Sequence, residues 1–135
     1  MLFDKLDETA TTKKVKRLLE DYPRYKRIAN RDILFLKSPA MTGMPRSDSG
    51  KNNEEIKIVN KVNAETIVVT INNCIESVAG VENRMMLENK YIHDFTDYEL
   101  ETALKISPST RKRILRQALL MFAEAYPLEE LLVFC

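Results

Sequence analysis

Apolar residues recur at helical spacing in the first part of this chain. In residues 9–22 they fall three or four positions apart, which predicts a short helix, and Pro23 predicts that the helix ends or bends there. Residues 24–36 repeat the pattern and predict a second short helix with an apolar end. The apolar positions of the first helix are Val15, Leu18, Leu19 and Tyr22.

The middle of the chain changes from a polar stretch to a long apolar pattern. Residues 37–53 hold two Pro and two Gly with almost nothing to bury, which predicts a linker. Residues 54–78 carry apolar side chains at spacings of four, seven and eight over a length that favours a helix. The β-branched run TIVVTI at residues 66–71 also suits a strand, which is the alternative for that stretch.

Two consecutive helix starts mark the last third of the chain. Thr96 and Glu99 have the spacing of a capping box, in which each side chain bonds the backbone N–H of the other, and they open a short helix. Ser107 as N-cap and Pro108 at the first helical position then open a longer one. Its predicted inward positions are Ile114, Leu115, Ala118, Leu119 and Phe122.

These elements predict an all-α fold. A short capped helix, a turn of three to four residues and a longer helix have the layout of a helix-turn-helix, here at residues 96–125. We therefore expect a helical bundle in three parts: an N-terminal helical segment over residues 1–36, a linker over 37–53, and a helical domain over 54–135 that contains the helix-turn-helix.

Composition narrows the function classes. The chain has 135 residues, of which 44% are apolar, enough for one compact domain or two small helical ones. No apolar run approaches the roughly 18 residues of a membrane span. Two cysteines far apart and a single histidine supply neither a disulfide framework nor a zinc or histidine-based catalytic site. We expect a reduced, cytoplasmic protein that is not an enzyme, with no metal, no cofactor and no membrane partner.

The net charge of +1 hides segregated charge. Residues 1–50 carry 11 basic and 7 acidic side chains, residues 51–104 carry 5 and 10, and residues 105–135 carry 5 and 3. All five basic residues of the last segment fall in residues 105–116, which hold no acid. Local charge density within a screening length of about 8–10 Å sets the binding field, so near-neutrality does not exclude a nucleic-acid partner.

The longer helix at the C-terminal end has the surface of a DNA recognition helix. It is basic and carries no acid before Glu124, and a helix that faces DNA must not repel phosphate. The side chains suited to base edges in a major groove are Ser109, Thr110 and Arg113. Those suited to phosphates are Lys105, Arg111, Lys112 and Arg116. Ser107 and Gln117 complete the predicted DNA-binding residues.

Residues 104–110, LKISPST, match a pattern of leucine, glycine or lysine, isoleucine, serine, two further residues and threonine. With an alanine-leucine pair at 118–119, the segment over residues 81–126 resembles region 4 of bacterial sigma factors, which implies a DNA-binding helix-turn-helix. One position departs from that pattern: Arg111 stands where an apolar residue follows the threonine. A charged side chain there must rotate outward or change the packing.

Two longer stretches carry a second resemblance. Residues 21–47 have a basic-aromatic start followed by Lys-Ser-Pro and Gly-Met-Pro, and residues 118–134 run from ALL through FAEAY to ELLVF. Together they resemble the autolysin regulatory protein (ArpU) family over nearly the whole chain, although Cys135 stands where a basic residue is expected. The resemblance implies a small, non-enzymatic transcriptional regulator of late phage or prophage genes, those of packaging and lysis.

The sequence predicts a sequence-specific regulator that binds double-stranded DNA. The alternative is a helical adaptor that docks on bacterial RNA polymerase or a phage packaging protein without reading DNA. One structural feature separates them. If Lys112, Arg113 and Arg116 form one exposed face free of acids from neighbouring helices, DNA binding is favoured. If Glu99 and Glu101 neutralise that face, the adaptor is favoured.

Two further surfaces have open interpretations. The tail over residues 128–135 is apolar enough to need cover, which we expect from the chain's own bundle, with a homodimer seam as the alternative. A basic cluster in the N-terminal segment has three interpretations. It is a second nucleic-acid contact, a docking face for an acidic partner such as RNA polymerase, or a solvated helix face. Its members are Lys13, Lys14, Lys16, Arg17, Arg24, Lys26, Arg27 and Arg31.

Overall fold

A computed structural model describes residues 2–31 and 48–135, with side chains for residues 4–31 and 54–135. A π-helical turn over Glu88–Ile92 directly follows the α-helix Val81–Leu87. Apart from an isolated bridge between Leu6 and Phe134, the described backbone contains no β-pairing, so the all-α prediction is confirmed. The helices are α1 (Glu8–Glu20), α2 (Tyr22–Ala29), α3 (Asp48–Ser77), α4 (Val81–Leu87), α5 (Asp97–Leu104) and α6 (Pro108–Ala125).

The helix boundaries in the last third follow from the capping residues. The Thr96 hydroxyl accepts a hydrogen bond from the Glu99 N–H at 3.2 Å, and the Glu99 carboxylate accepts one from the Thr96 N–H at 3.1 Å. This reciprocal pair satisfies two of the backbone donors left free at the start of α5. Ser107 caps α6 by a single bond, its hydroxyl accepting from the Thr110 N–H at 3.2 Å, and Pro108 stands next to it. Both predicted helix starts are confirmed.

The long helix α3 settles the choice between strand and helix for residues 66–71 in favour of helix. It also begins at Asp48, six residues before its predicted start, so the prediction that residues 48–53 belong to the linker is wrong. Each residue added to an existing helix gains a hydrogen bond, which lets weak helix formers extend it. The rest of the predicted linker lies within residues 32–47, outside the part of the chain that the structure describes.

Helix α6 is the centre of the hydrophobic core. It packs against α1, α3, α4 and α5, while α2 packs along α3. Phe122 and Leu119 of α6 are almost fully buried in one cluster with Leu19 of α1, Ile71 of α3 and Met86 of α4. Because these residues share one cluster, α1 holds α6 from one side, and the packing of α6 fixes which of its faces stays open.

The C-terminal tail packs against the start of α1, as expected. The Asp7 N–H donates to the Val133 carbonyl at 2.7 Å, and the Val133 N–H donates to the Thr11 hydroxyl at 2.9 Å. Leu131 is buried beneath this contact at 1% exposure. The tail thereby ties both ends of the described chain to the same side of the bundle.

Buried tyrosines make the fold sensitive to alkaline pH. Burial, with a contribution from Glu129, raises the pKa of Tyr126 to about 12, and burial raises the pKa of Tyr91 in the same direction. The folded state then holds these protons more tightly than the unfolded chain, whose tyrosines titrate near pH 10. This stability is fully present below about pH 10 and is lost as the pH rises toward 12.

We therefore expect the urea midpoint of unfolding to fall between about pH 9 and pH 11. Tyr126→Phe keeps the ring that stacks on Phe122 at 5.5 Å between centroids and removes the ionisation. It should lose less stability than the wild type over this interval. Equal losses in the two proteins would contradict the assignment of the effect to Tyr126.

Candidate nucleic-acid interface

One face of α6 carries an exposed polar stripe. Its members occupy positions i, i+3, i+4, i+7 and i+8, which is one side of an α-helix, and all of them are exposed. The opposite side of the helix is buried against the bundle. The structure thus places five of the predicted residues on one open face, which we call the α6 stripe: Ser109, Lys112, Arg113, Arg116 and Gln117.

The positive charges of the α6 stripe are mostly uncompensated. Among the described residues, Lys112 and Arg113 have no ion-pair partner. Arg116 donates to Glu8 of α1 at 3.0 Å, but both side chains are 50% exposed, and such pairs contribute little because water and salt screen them. The acid that reaches the stripe therefore comes from α1 and leaves two of its three cations free.

The acids of α5 are used elsewhere. Glu99 accepts the backbone hydrogen bond of its own capping box, and Glu101 pairs with Arg111. Neither one is paired with the α6 stripe. Glu99 and Glu101 therefore do not neutralise the stripe, but Glu8 of α1 pairs with Arg116, so the face is not wholly free of acids from neighbouring helices.

Arg111, predicted as a phosphate contact, requires a correction. Its side chain is only 10% exposed and lies between α5 and α6. Its Nε donates to Glu101 Oε2 at 2.9 Å, and its Nη1 lies 3.4 Å from Asp97 Oδ1. A guanidinium can occupy this apolar position of the sigma-like pattern because two carboxylates from α5 neutralise it there. Arg111 therefore ties the two helices together and is not available to phosphate.

The hydroxyl groups at the start of α6 divide into two roles. Ser107 accepts from the Thr110 N–H at 3.2 Å and donates to the Thr110 hydroxyl at 3.0 Å, so both take part in the cap. Thr110 is also half-buried. Ser109 is exposed and shares only a 3.2 Å hydroxyl contact with Ser107. Of the three, Ser109 is the one that is exposed and makes no bond to the backbone cap.

Lys105 lies in the turn between α5 and α6 with a left-handed backbone, φ 57° and ψ 52°. This conformation ends many helices and favours Gly, and β-branched residues resist it most. The side chain is exposed beside the α6 N-terminus. Lys105 thus has two separate roles: its side chain supplies a positive charge, and its backbone adopts the left-handed conformation that ends α5.

Two substitutions separate these roles of Lys105. Lys105→Gly should keep the free energy of unfolding within about 0.5 kcal/mol, whereas Lys105→Val should lower it by about 1–2 kcal/mol. Thermal or urea unfolding of both variants measures the difference. An equal loss in the two would show that the charge, and not the backbone conformation, sets the stability of the turn.

A cleft of about 710 Å³ runs beside the α6 stripe, between α1, the π-helical turn and α6. Six basic and two acidic side chains line it. Lys16 of α1 is one of the six. The sequence carries no signal that it lies beside α6, because the two are far apart along the chain. The charged lining residues are Lys16, Glu20, Lys90, Asp97, Arg111, Lys112, Arg113 and Arg116.

The described residues contain neither a cluster suited to a metal ion nor a helix suited to span a membrane. Across residues 4–31 and 54–135, no three His, Cys, Asp or Glu side chains are grouped to hold a metal ion. No helix in the same part of the chain is both long and apolar enough to cross a membrane. Cys74 is a buried thiol of the core, and burial raises its pKa.

Comparison with known proteins finds two relatives of nearly the same length. The chain is 29% identical over 136 aligned positions to the autolysin regulatory protein ArpU of Streptococcus phage O1205, covering 98% of this chain and 99% of the relative. It is 25% identical over 126 positions to a protein of the same name from Enterococcus hirae, covering 93% and 92%. No family model matches the sequence. No solved structure matches the chain either.

Proposed function

We propose that this chain is a phage or prophage regulator of the ArpU family that binds double-stranded DNA and regulates transcription of late genes for packaging and lysis. The full-length similarity to two regulatory proteins supports the regulatory role and a non-enzymatic one. The binding mode rests on one observation: Lys112 and Arg113 stand exposed, without ion pairs among the described residues, on a helix with no acid along that face.

The two capped helices can act as a helix-turn-helix of the kind seen in sigma region 4. In this proposal α5 and the turn lie across the backbone while the first turns of α6 enter the major groove. Ser109 and Arg113 belong to these first turns of α6. The Arg113 guanidinium can form two hydrogen bonds with guanine, and the Ser109 hydroxyl can bond purine or pyrimidine edges. Lys105, Lys112 and Arg116 contact phosphates, and Gln117 lies further along the same face.

The Arg111 pairing gives this unit a fixed geometry. The guanidinium joins α6 to Glu101 and Asp97 of α5, and Asp97 also accepts from Lys90 of the π-helical turn at 3.3 Å. Recognition of bases needs a helix held at a set angle to the one that contacts the backbone. A partly buried ionic link between the two helices is one way to hold that angle, and here it takes the place of an apolar contact.

A second candidate function is the adaptor that docks on RNA polymerase or a packaging protein. The contact between Arg116 and Glu8 favours it, since an acid beside the stripe reduces attraction to phosphate. An adaptor of this kind would co-purify with its partner and would bind DNA only weakly. Either function places the protein in the bacterial cytoplasm, where host polymerase and phage DNA meet.

Selection from a random duplex library, followed by affinity measurement over a salt series, tests the proposed function. We expect an enriched sequence whose affinity falls about 40-fold between about 50 and 200 mM salt, as three phosphate contacts require. The enriched duplex should bind at least about 10³-fold more tightly than a scrambled one. Weak binding with a flat salt dependence and no enriched sequence would refute DNA recognition and favour the adaptor.

A further inference from the structure

The cleft beside α6 has two basic edges from distant parts of the chain. Lys112, Arg113 and Arg116 form the edge on α6, and Lys16 forms the edge on α1. Lys16 is exposed and has no ion-pair partner among the described residues. Lys13, also exposed, lies three residues before it and so on the neighbouring part of the same helix face. The basic surface therefore continues from α6 onto α1.

The acids of the cleft do not cancel this charge. Asp97 is shared between Lys90 at 3.3 Å and Arg111 at 3.4 Å, which leaves Glu20 as the other acidic lining residue. Outside the lining, Glu8 of α1 pairs with Arg116 at 3.0 Å, where both side chains are half exposed and the pair is screened. Tyr91 in the same wall stays protonated, because burial and the charges of Glu20 and Asp97 raise its pKa. A concave surface with excess charge of one sign focuses the field and concentrates a ligand of the opposite sign.

From this geometry we infer that Lys16 of α1 is a further phosphate contact, supplied by a second helix, and that one strand of the duplex follows the cleft between α1 and α6. The inference rests on the proposed function, since it takes the ligand to be the DNA whose groove α6 enters. A helix in the major groove has a phosphate backbone on either side, and the α1 edge lies on one of those sides. The N-terminal helices then contribute affinity without contributing sequence preference.

Two basic residues of α2 do not share this position. Lys26 of α2 lies over the Tyr22 ring at 5.9 Å and lines a different cleft, where two basic and two acidic side chains balance. Arg24 lies 3.9 Å from Asp21. Lys26 is thus a matched control: an exposed lysine of the same N-terminal segment, set in a neutral environment away from α6.

Binding to a random-sequence duplex of about 20 base pairs tests the inference, because phosphate contacts do not depend on sequence. Fluorescence anisotropy over a KCl series would compare the wild type with Lys16→Gln, Lys112→Gln and Lys26→Gln. We expect Lys16→Gln and Lys112→Gln each to weaken binding about five- to tenfold near 100 mM salt and to flatten the log–log salt slope by about 0.9. Lys26→Gln should bind like the wild type.

Acetylation of lysines in the wild-type complex, read by mass spectrometry, gives a second measurement that needs no substitution. The duplex should protect Lys16 and Lys112 and leave Lys26 reactive. The inference would be overturned if Lys16→Gln bound with wild-type affinity and salt slope, or if the duplex left Lys16 unprotected. If Lys112→Gln still bound more weakly than the wild type in that case, the proposed function would stand. A wild type without salt-dependent binding would overturn both.

Discussion

Arg113→Ala is expected to cost about 1–3 kcal/mol of binding free energy on the preferred duplex and to relax base preference at one position. Arg113 is exposed in the second turn of α6 and pairs with no acid among the residues described. A guanidinium placed there can form two parallel hydrogen bonds with guanine, and alanine cannot replace them. Titration of the variant against single-base variants of the selected site measures both effects.

Lys112→Ala is the matched comparison, because Lys112 lies next to Arg113 on the same exposed face. As a phosphate contact it should weaken the preferred and scrambled duplexes by the same factor and flatten the salt slope by about 0.9. The two variants thus separate base reading from charge. If both bind every duplex as tightly as the wild type does, α6 is not the recognition helix.

Arg111→Leu is expected to lower the free energy of unfolding by about 2 kcal/mol, even though leucine restores the apolar residue of the sigma-like pattern. The substitution leaves Glu101, at 20% side-chain exposure, without its guanidinium partner. Asp97 is 54% exposed and regains water, which limits the cost. Urea unfolding near neutral pH measures the change.

A second substitution shows whether the cost comes from the unpaired carboxylate. Combining Arg111→Leu with Glu101→Gln removes that charge and should recover about half of the loss or more. The salt slope of DNA binding should stay at the wild-type value in Arg111→Leu wherever the protein is folded. A slope lower by about 0.9 would contradict the structure and return Arg111 to the phosphate contacts.

Local chemistry explains which parts of the fold the sequence could predict. The capping box at Thr96 and the Ser107 cap depend on residues three apart, so spacing alone located the starts of α5 and α6. The inward positions of α6 follow from helical period, and all five predicted ones are buried. The exposure of the α6 stripe follows from the same period, since it is the opposite side of that helix.

Tertiary contacts explain what spacing could not predict. The inward turn of Arg111 depends on two carboxylates that α5 happens to present, and a helical pattern carries no signal for such a pairing. Lys16 reaches the α6 cleft, and Glu8 reaches Arg116, only because α1 packs on α6. The early start of α3 at Asp48 depends on propagation from the residues that follow it.

DNA recognition by this protein requires the α6 stripe to lie against the duplex. Chemical-shift mapping of the labelled protein, titrated with the selected duplex, measures that contact directly. We expect the largest perturbations on Ser109, Lys112, Arg113 and Arg116, with smaller ones at Lys105 and Lys16 and none along α2. Perturbations centred on α2 or α3, with the first turns of α6 unchanged, would contradict DNA recognition by α6.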